Sequence, residues 1–166
     1  MPTAPPPPLA VMGVSGSGKT TVGELLAARL GMPFTDGDDL HPPANRAKMA
    51  AGIPLDDDDR APWLDAVGAR LAADPAPVVA CSALRRAYRD RIRSLAPATV
   101  FVHLAGDPSL IGDRIARRHH EYMPASLLAS QLALLEPLQA DEAGITVDIG
   151  PSPAEIVDAI VARLAS

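Results

Sequence analysis

Residues Gly13-Val-Ser-Gly-Ser-Gly-Lys19-Thr20 fill the pattern G-x-x-x-x-G-K-[ST] completely. Such a loop is built to hold phosphate. Its glycines let the backbone turn N–H groups inward, and the helix that follows adds positive potential at its N-terminus. Lys19 is placed to reach the β- and γ-phosphates of a nucleotide, and the Thr20 hydroxyl to ligate Mg²⁺. A second group with chemical capacity is Asp36-Gly37-Asp38. Two carboxylates one residue apart in extended chain point the same way. One would serve the Mg²⁺ shell while the other takes a proton from a substrate hydroxyl; Asp and Gly also favour a plain capping turn. The third group is cationic. Arg114, Arg117 and Arg118 precede the irregular stretch His119-His120-Glu121-Tyr122-Met123-Pro124, which suits a mobile lid carrying charge over the phosphates. Cations ending a helix are also favourable on dipole grounds alone.

These groups need a scaffold that brings them to one edge. Leu9-Ala-Val-Met12 is a buried-strand run ending at Gly13, and Gly18 to Leu30 has helical spacing with Val22, Leu25, Leu26 and Leu30 on one face. Pro33-Phe34-Thr35 predicts a brief strand leading into Asp36. Helices are expected from Pro43 to Ala50 and from about Asp58. The second buries Trp63, Leu64, Val67 and Leu71 and tolerates Pro62 only in its first turn. Pro77 to Cys81 is continuously apolar, as in a strand covered on both faces. Strands are then expected at 99–104 and 145–149, and helices at 85–95, 109–118, 126–135 and 153–164. Strands separated by helices imply a parallel sheet, so the fold class is α/β. Ligands of such sheets sit beyond the C-terminal strand ends, which puts Asp36 and Asp38 beside the phosphate loop.

The chain lacks the Asn-Lys-x-Asp motif of a GTPase, and its Val78–Cys81 strand ends in Cys-Ser-Ala rather than the acid of a motor ATPase. Transfer of a γ-phosphate to a small acceptor is the reading that fits. A net charge of −5 argues against a nucleic-acid backbone binder. One cysteine cannot form an intrachain disulfide and fits a reducing compartment. No apolar run spans a bilayer and the start lacks signal-peptide features, so a cytoplasmic location and no membrane partner are expected. Pro5 to Pro8 predict an extended tail over 1–8, with one kinase domain over 9–166.

Five segments, taken in order, carry a resemblance. They are Met12 to Thr20; Asp36-Gly-Asp-Asp-Leu-His-Pro42 with Asn45, Lys48 and Met49; Gly52-Ile-Pro-Leu-Asp-Asp-Asp-Asp-Arg60 with Pro62-Trp63-Leu64; Cys81-Ser-Ala-Leu-Arg-Arg-Ala-Tyr-Arg-Asp90; and Met123-Pro124, Leu127-Leu128 and Ser130-Gln131 with Leu135-Glu-Pro137. Together they resemble the gluconate kinase family of P-loop small-molecule kinases, from Val11 to about Leu164. The resemblance implies a nucleoside-monophosphate-kinase-like sheet of five parallel strands with helices on both faces, a lid and a homodimer. It implies ATP- and Mg²⁺-dependent phosphorylation of D-gluconate to 6-phospho-D-gluconate, in carbohydrate metabolism.

By matching position, Gly13, Val14, Ser15, Gly16, Ser17, Gly18, Lys19, Thr20 and Thr21 would hold ATP, together with Arg114 and Arg117. Lys19, Asp38 and Arg117 would be catalytic, and Thr20 and Asp36 nearest the metal. Asp38, His41, Lys48, Arg60, Arg86 and Arg89 would face the substrate, with Arg60 pairing its carboxylate. One segment departs from the pattern: the family's Gly-His-Phe falls on His120-Glu121-Tyr122, so the family histidine meets Glu121.

Other residues have plainer expectations. Trp63 reads as core or pocket wall, Cys81 and His103 as structural, and Asp56–Asp59 as helix capping rather than a metal cluster. Two alternatives stand beside gluconate phosphorylation: a shikimate-type or other polyol or acid kinase, and a silent nucleotide-binding module. Intact Lys19, Thr20, Asp36 and Asp38 argue against the latter.

Overall fold

The computed structural model describes residues 5–116 and 125–166. Strands β1 (Leu9–Met12), β2 (Phe34–Asp36), β3 (Val78–Ala80), β4 (Val100–Ala105) and β5 (Gly144–Asp148) form one sheet in the order β2-β3-β1-β4-β5. All four pairings are parallel, with Val11 opposite Ala80 and Val102, and Asp36 opposite Ala80. The helices are α1 (Lys19–Leu30), α2 (Pro43–Ala50), α3 (Asp57–Leu71), α4 (Arg86–Leu95), α5 (Pro108–Ala116), α6 (Ala125–Leu134) and α7 (Pro153–Ala165).

Period-two alternation along β1 builds both cores. Leu9 and Val11 join Val22, Leu26, Ile156 and Ile160 on the side of α1 and α7. Ala10 and Met12 join Trp63, Val67 and Ile92 on the side of α3 and α4. Because both faces are covered, β1 and β3 are buried throughout. None of the described helices is long and apolar enough to cross a membrane.

Three local expectations are corrected. Leu25 is 43% exposed because α1 buries the arc of Val22, Gly23, Leu26 and Ala27, which leaves Leu25 on its flank. Helix α3 begins at Asp57, so Pro62 lies in its second turn rather than its first. Asp56 and Asp59 close a capping box at its start, with the Asp59 amide donating to Asp56 at 2.7 Å and the Asp56 amide donating to Asp59 at 3.1 Å. Finally, the chain after β2 does not stay extended. Gly37–Leu40 form one turn of 3-10 helix, capped by Asp36, whose Oδ1 accepts the Asp38 amide at 3.0 Å.

Candidate active site

The turn after β1 stands at the C-terminal edge of the sheet. The Gly13 amide donates to Ser82 O at 3.3 Å, which ties this turn to the one after β3. Gly13 has φ +151° and no room for a side chain, since a Cβ would lie 2.7 Å from Ser17 Oγ. Gly18 starts α1 with no side-chain cap and no acid in the first turn. The first amides of α1 are therefore open to an anion, with the helix dipole behind them. Lys19 curls over the loop, its Nζ donating to Gly13 O at 3.0 Å and Val14 O at 3.1 Å. Thr20 and Thr21 are exposed at the mouth.

Beside this loop lies a cavity of about 300 Å³ between Gly16–Gly18, Thr21, Arg114, Pro151 and Pro153. Arg114 is fixed there by donating to Ile149 O at 2.6 Å. The predicted loop residues and Arg114 thus come together. Pro151 and Pro153 escaped sequence reasoning, although the segment after the last parallel strand must reach this same edge. Gln131 of α6 has a contact that its sequence neighbourhood does not announce. It accepts the Ser15 amide at 2.7 Å and donates to Ser15 Oγ at 2.9 Å, so it occupies one N–H of the phosphate loop.

On the other side of the loop, Asp38 shares the turn after β2 with Asp36. Burial by surrounding protein and the neighbouring Asp36 carboxylate raise the Asp38 pKa above the ordinary aspartate value, while Lys19 pulls it back. Gly37 is pressed so tightly against β3 that a Cβ would collide with the Ala80 carbonyl. Its own carbonyl accepts Trp63 Nε1 at 2.8 Å, which anchors the acidic turn to α3. Trp63 is a core residue, 3% exposed, and it stacks on the His41 ring at 4.2 Å between centroids.

Three predicted substrate residues gather here. His41 is 7% exposed and linked through Asn45 to the backbone of Asp59. Lys48 donates to Asp59 Oδ2 at 2.8 Å. Arg60 donates to Tyr88 Oη at 3.1 Å and lies 3.5 Å from Asp57 Oδ1. Two others are corrected. Arg89 is wholly buried, donating to both oxygens of Glu142 at 2.7 and 3.0 Å and to Ala83 O. Arg86 spends its guanidinium on Asp90, Gln139 and Asp141. Both brace α4 against the segment before β5. The Cys81 thiol is buried and pushed up to about 12 by that burial, so it is structural. Arg117, Arg118, His120 and Glu121, and with them the lid, lie outside the described residues.

A family model described as Shikimate kinase matches residues 15–165. Its likeness to a shikimate kinase structure from Aquifex aeolicus is one of fold, at 17% identity and a TM-score of 0.62 over 95% of each chain. Similarity to a gluconokinase of Gluconobacter oxydans is far closer, 46% identity over 92% of this chain and 88% of that relative. A crystal structure of a gluconokinase from Sinorhizobium meliloti superposes with a TM-score of 0.91 at 49% identity, covering 98% and 94% of the two chains. The chain belongs to the gluconokinase family. The family's fold is the one described above.

Proposed function

We propose that this protein transfers the γ-phosphate of ATP to the terminal hydroxyl of D-gluconate, giving 6-phospho-D-gluconate and ADP. One observation carries the reading: gluconokinases at 46% and 49% identity match over nine-tenths of the chain. The site chemistry agrees with it. The cavity beside the phosphate loop is assigned to the nucleotide, and His41, Lys48 and Arg60 to the polyhydroxy acid.

In this reading the loop amides and Lys19 hold the β- and γ-phosphates, and Asp38 accepts the proton as the substrate oxygen bonds to the γ-phosphorus. The bond from that phosphorus to the bridging oxygen breaks, and ADP leaves. Mg²⁺ fits the residues present. Thr20 and Asp36 would supply oxygen ligands at the loop to an ion held otherwise by phosphates and water. When bound, it neutralises charge on the phosphate oxygens. A cytoplasmic location belongs to the same reading.

The test is ADP release with D-gluconate, shikimate, glucose and AMP in parallel. Gluconate-dependent release is expected; turnover only with shikimate, which the family model makes the natural control, would overturn the substrate. Within this reading Arg60→Lys retains the charge and loses the planar fork. KM for gluconate should rise about 10- to 100-fold, as for loss of a charge-assisted hydrogen bond, with KM for ATP unchanged. A shift in both constants would remove Arg60 from the acceptor side.

A further inference from the structure

Asn45, 3% exposed on α2, spends its side-chain nitrogen on two acceptors. Nδ2 donates to the Asp59 carbonyl at 2.8 Å and lies 3.2 Å from His41 Nδ1. A backbone carbonyl only accepts, so the amide end that faces it must be the NH₂. The second hydrogen of that NH₂ then points to His41 Nδ1, which must be an unprotonated acceptor. The single proton of the ring is left on Nε2. The ring plane is also fixed, by Trp63 stacked at an interplanar angle of 13°.

Charge around the ring keeps it neutral. Burial, then Arg46 and Arg60, lower the His41 pKa to about 4. Of the acids nearest in sequence, Asp38 feels the Arg46 charge; the Arg46 guanidinium itself donates to the backbone carbonyls of Asp39 at 2.7 Å and, through Nε, of His41 at 3.3 Å. Lys48 is held by the Asp59 carboxylate. With Nδ1 consumed inside the protein, His41 has one group to offer a ligand, an Nε2–H donor.

We propose that Asn45 is a positioning residue that fixes His41 as the neutral Nε2–H tautomer, making it a donor toward an oxygen of the polyhydroxy-acid substrate. This rests on the acceptor side proposed above. A site with the opposite tautomer would present a lone pair and select a ligand's donor; this one selects an acceptor oxygen, such as a carboxylate or hydroxyl oxygen.

Nitrogen-15 NMR of histidine-labelled protein reads the tautomer directly, with no substrate present. In the wild type, His41 should show a bare Nδ1 and a protonated Nε2 at neutral pH, and should remain so well below the ordinary histidine pKa. A protonated Nδ1, or an imidazolium at neutral pH, would overturn the proposal whatever the acceptor. The second arm is Asn45→Asp, whose carboxylate accepts from Nδ1–H and raises the His41 pKa. At high pH the ring proton then moves to Nδ1, Nε2 becomes an acceptor, and KM for the acceptor should rise about tenfold, the loss of one hydrogen bond. At lower pH the imidazolium regains Nε2–H and the defect should shrink, while KM for ATP stays constant. A defect equal at all pH values, or shared by ATP, would make Asn45 merely structural and sink the idea. If gluconate is not the acceptor, the substrate-free spectrum still decides the tautomer.

Discussion

Asp38→Asn should lower kcat with gluconate by about 10²- to 10⁴-fold, the range for removing a positioned general base. The shape of the pH profile identifies the group. The wild-type rate should fall on the acid side as Asp38 takes up a proton, at a pH above that expected for an ordinary aspartate, since burial and Asp36 raise its pKa. The Asn variant should lack that limb. Stability should move the other way. A carboxyl whose pKa is raised on folding stabilises the fold only while protonated, fully so below its unfolded pKa, and that stability is gone once the pH exceeds the folded pKa. At neutral pH the ionised Asp38 is therefore a burden to the fold, and the amide should melt no lower than the wild type. A variant with near-wild-type turnover would reduce Asp38 to a substrate anchor; one with a lower melting temperature would place its role in the fold.

The parts of this site that were legible in the sequence are those where a local chemical need dictates residue types. Phosphate wrapping needs backbone amides and glycines at set intervals, so Gly13–Thr20 stood out. Alternation along β1 and apolar continuity in β3 located the centre of the sheet. Capping by Asp56 was legible because the acids immediately precede a helix. What failed was decided by partners distant in sequence. Arg86 and Arg89 follow the turn after β3 and so resemble pocket cations, but Arg89 is claimed by Glu142, 53 residues on. Ser15 meets Gln131 across 116 residues, a contact made only once α6 has docked. The Asp36–Asp38 pair failed differently: both readings used the same residues. The structure realises the cap, because the Asp38 amide finds Asp36 Oδ1 two residues back, and the Asp38 carboxylate still feels both Asp36 and Lys19. Strand order was not legible at all, since crossovers of similar length allow several arrangements of five parallel strands.

Glu142→Ala should cost about 3–5 kcal/mol of folding stability, the range for stranding a buried charge, and lower the melting temperature by on the order of 10 °C. Glu142 has a fully buried side chain on which Arg89 converges at 2.7 Å and Arg93 at 2.8 Å. Arg93 also lies over the Phe101 ring at 4.6 Å, so it cannot swing into water without leaving the core of β4. Removing Glu142 leaves the buried Arg89 without a carboxylate and Arg93 with only Asp90 at 3.5 Å, whereas Arg89→Met leaves Glu142 still paired with Arg93. The expected order of stability is therefore wild type, then Arg89→Met, then Glu142→Ala. Arg89→Met combined with Glu142→Leu should recover part of the loss, because an apolar pair leaves less charge unbalanced. Acid titration checks the same centre. Burial alone would raise the Glu142 pKa, but hydrogen bonds from Arg89, the Gln139 amide and Arg93 outweigh it and hold the carboxyl at about 2. A pKa depressed on folding contributes stability that is full above the unfolded value and is lost as the pH falls through the folded one. The wild type should thus lose stability between the ordinary glutamate value of 4.5 and about 2, and Glu142→Ala should show a smaller loss across that window. Chemical denaturation at a series of pH values reads both, and a Glu142→Ala variant more stable than Arg89→Met would show that the two arginines do not depend on this carboxylate.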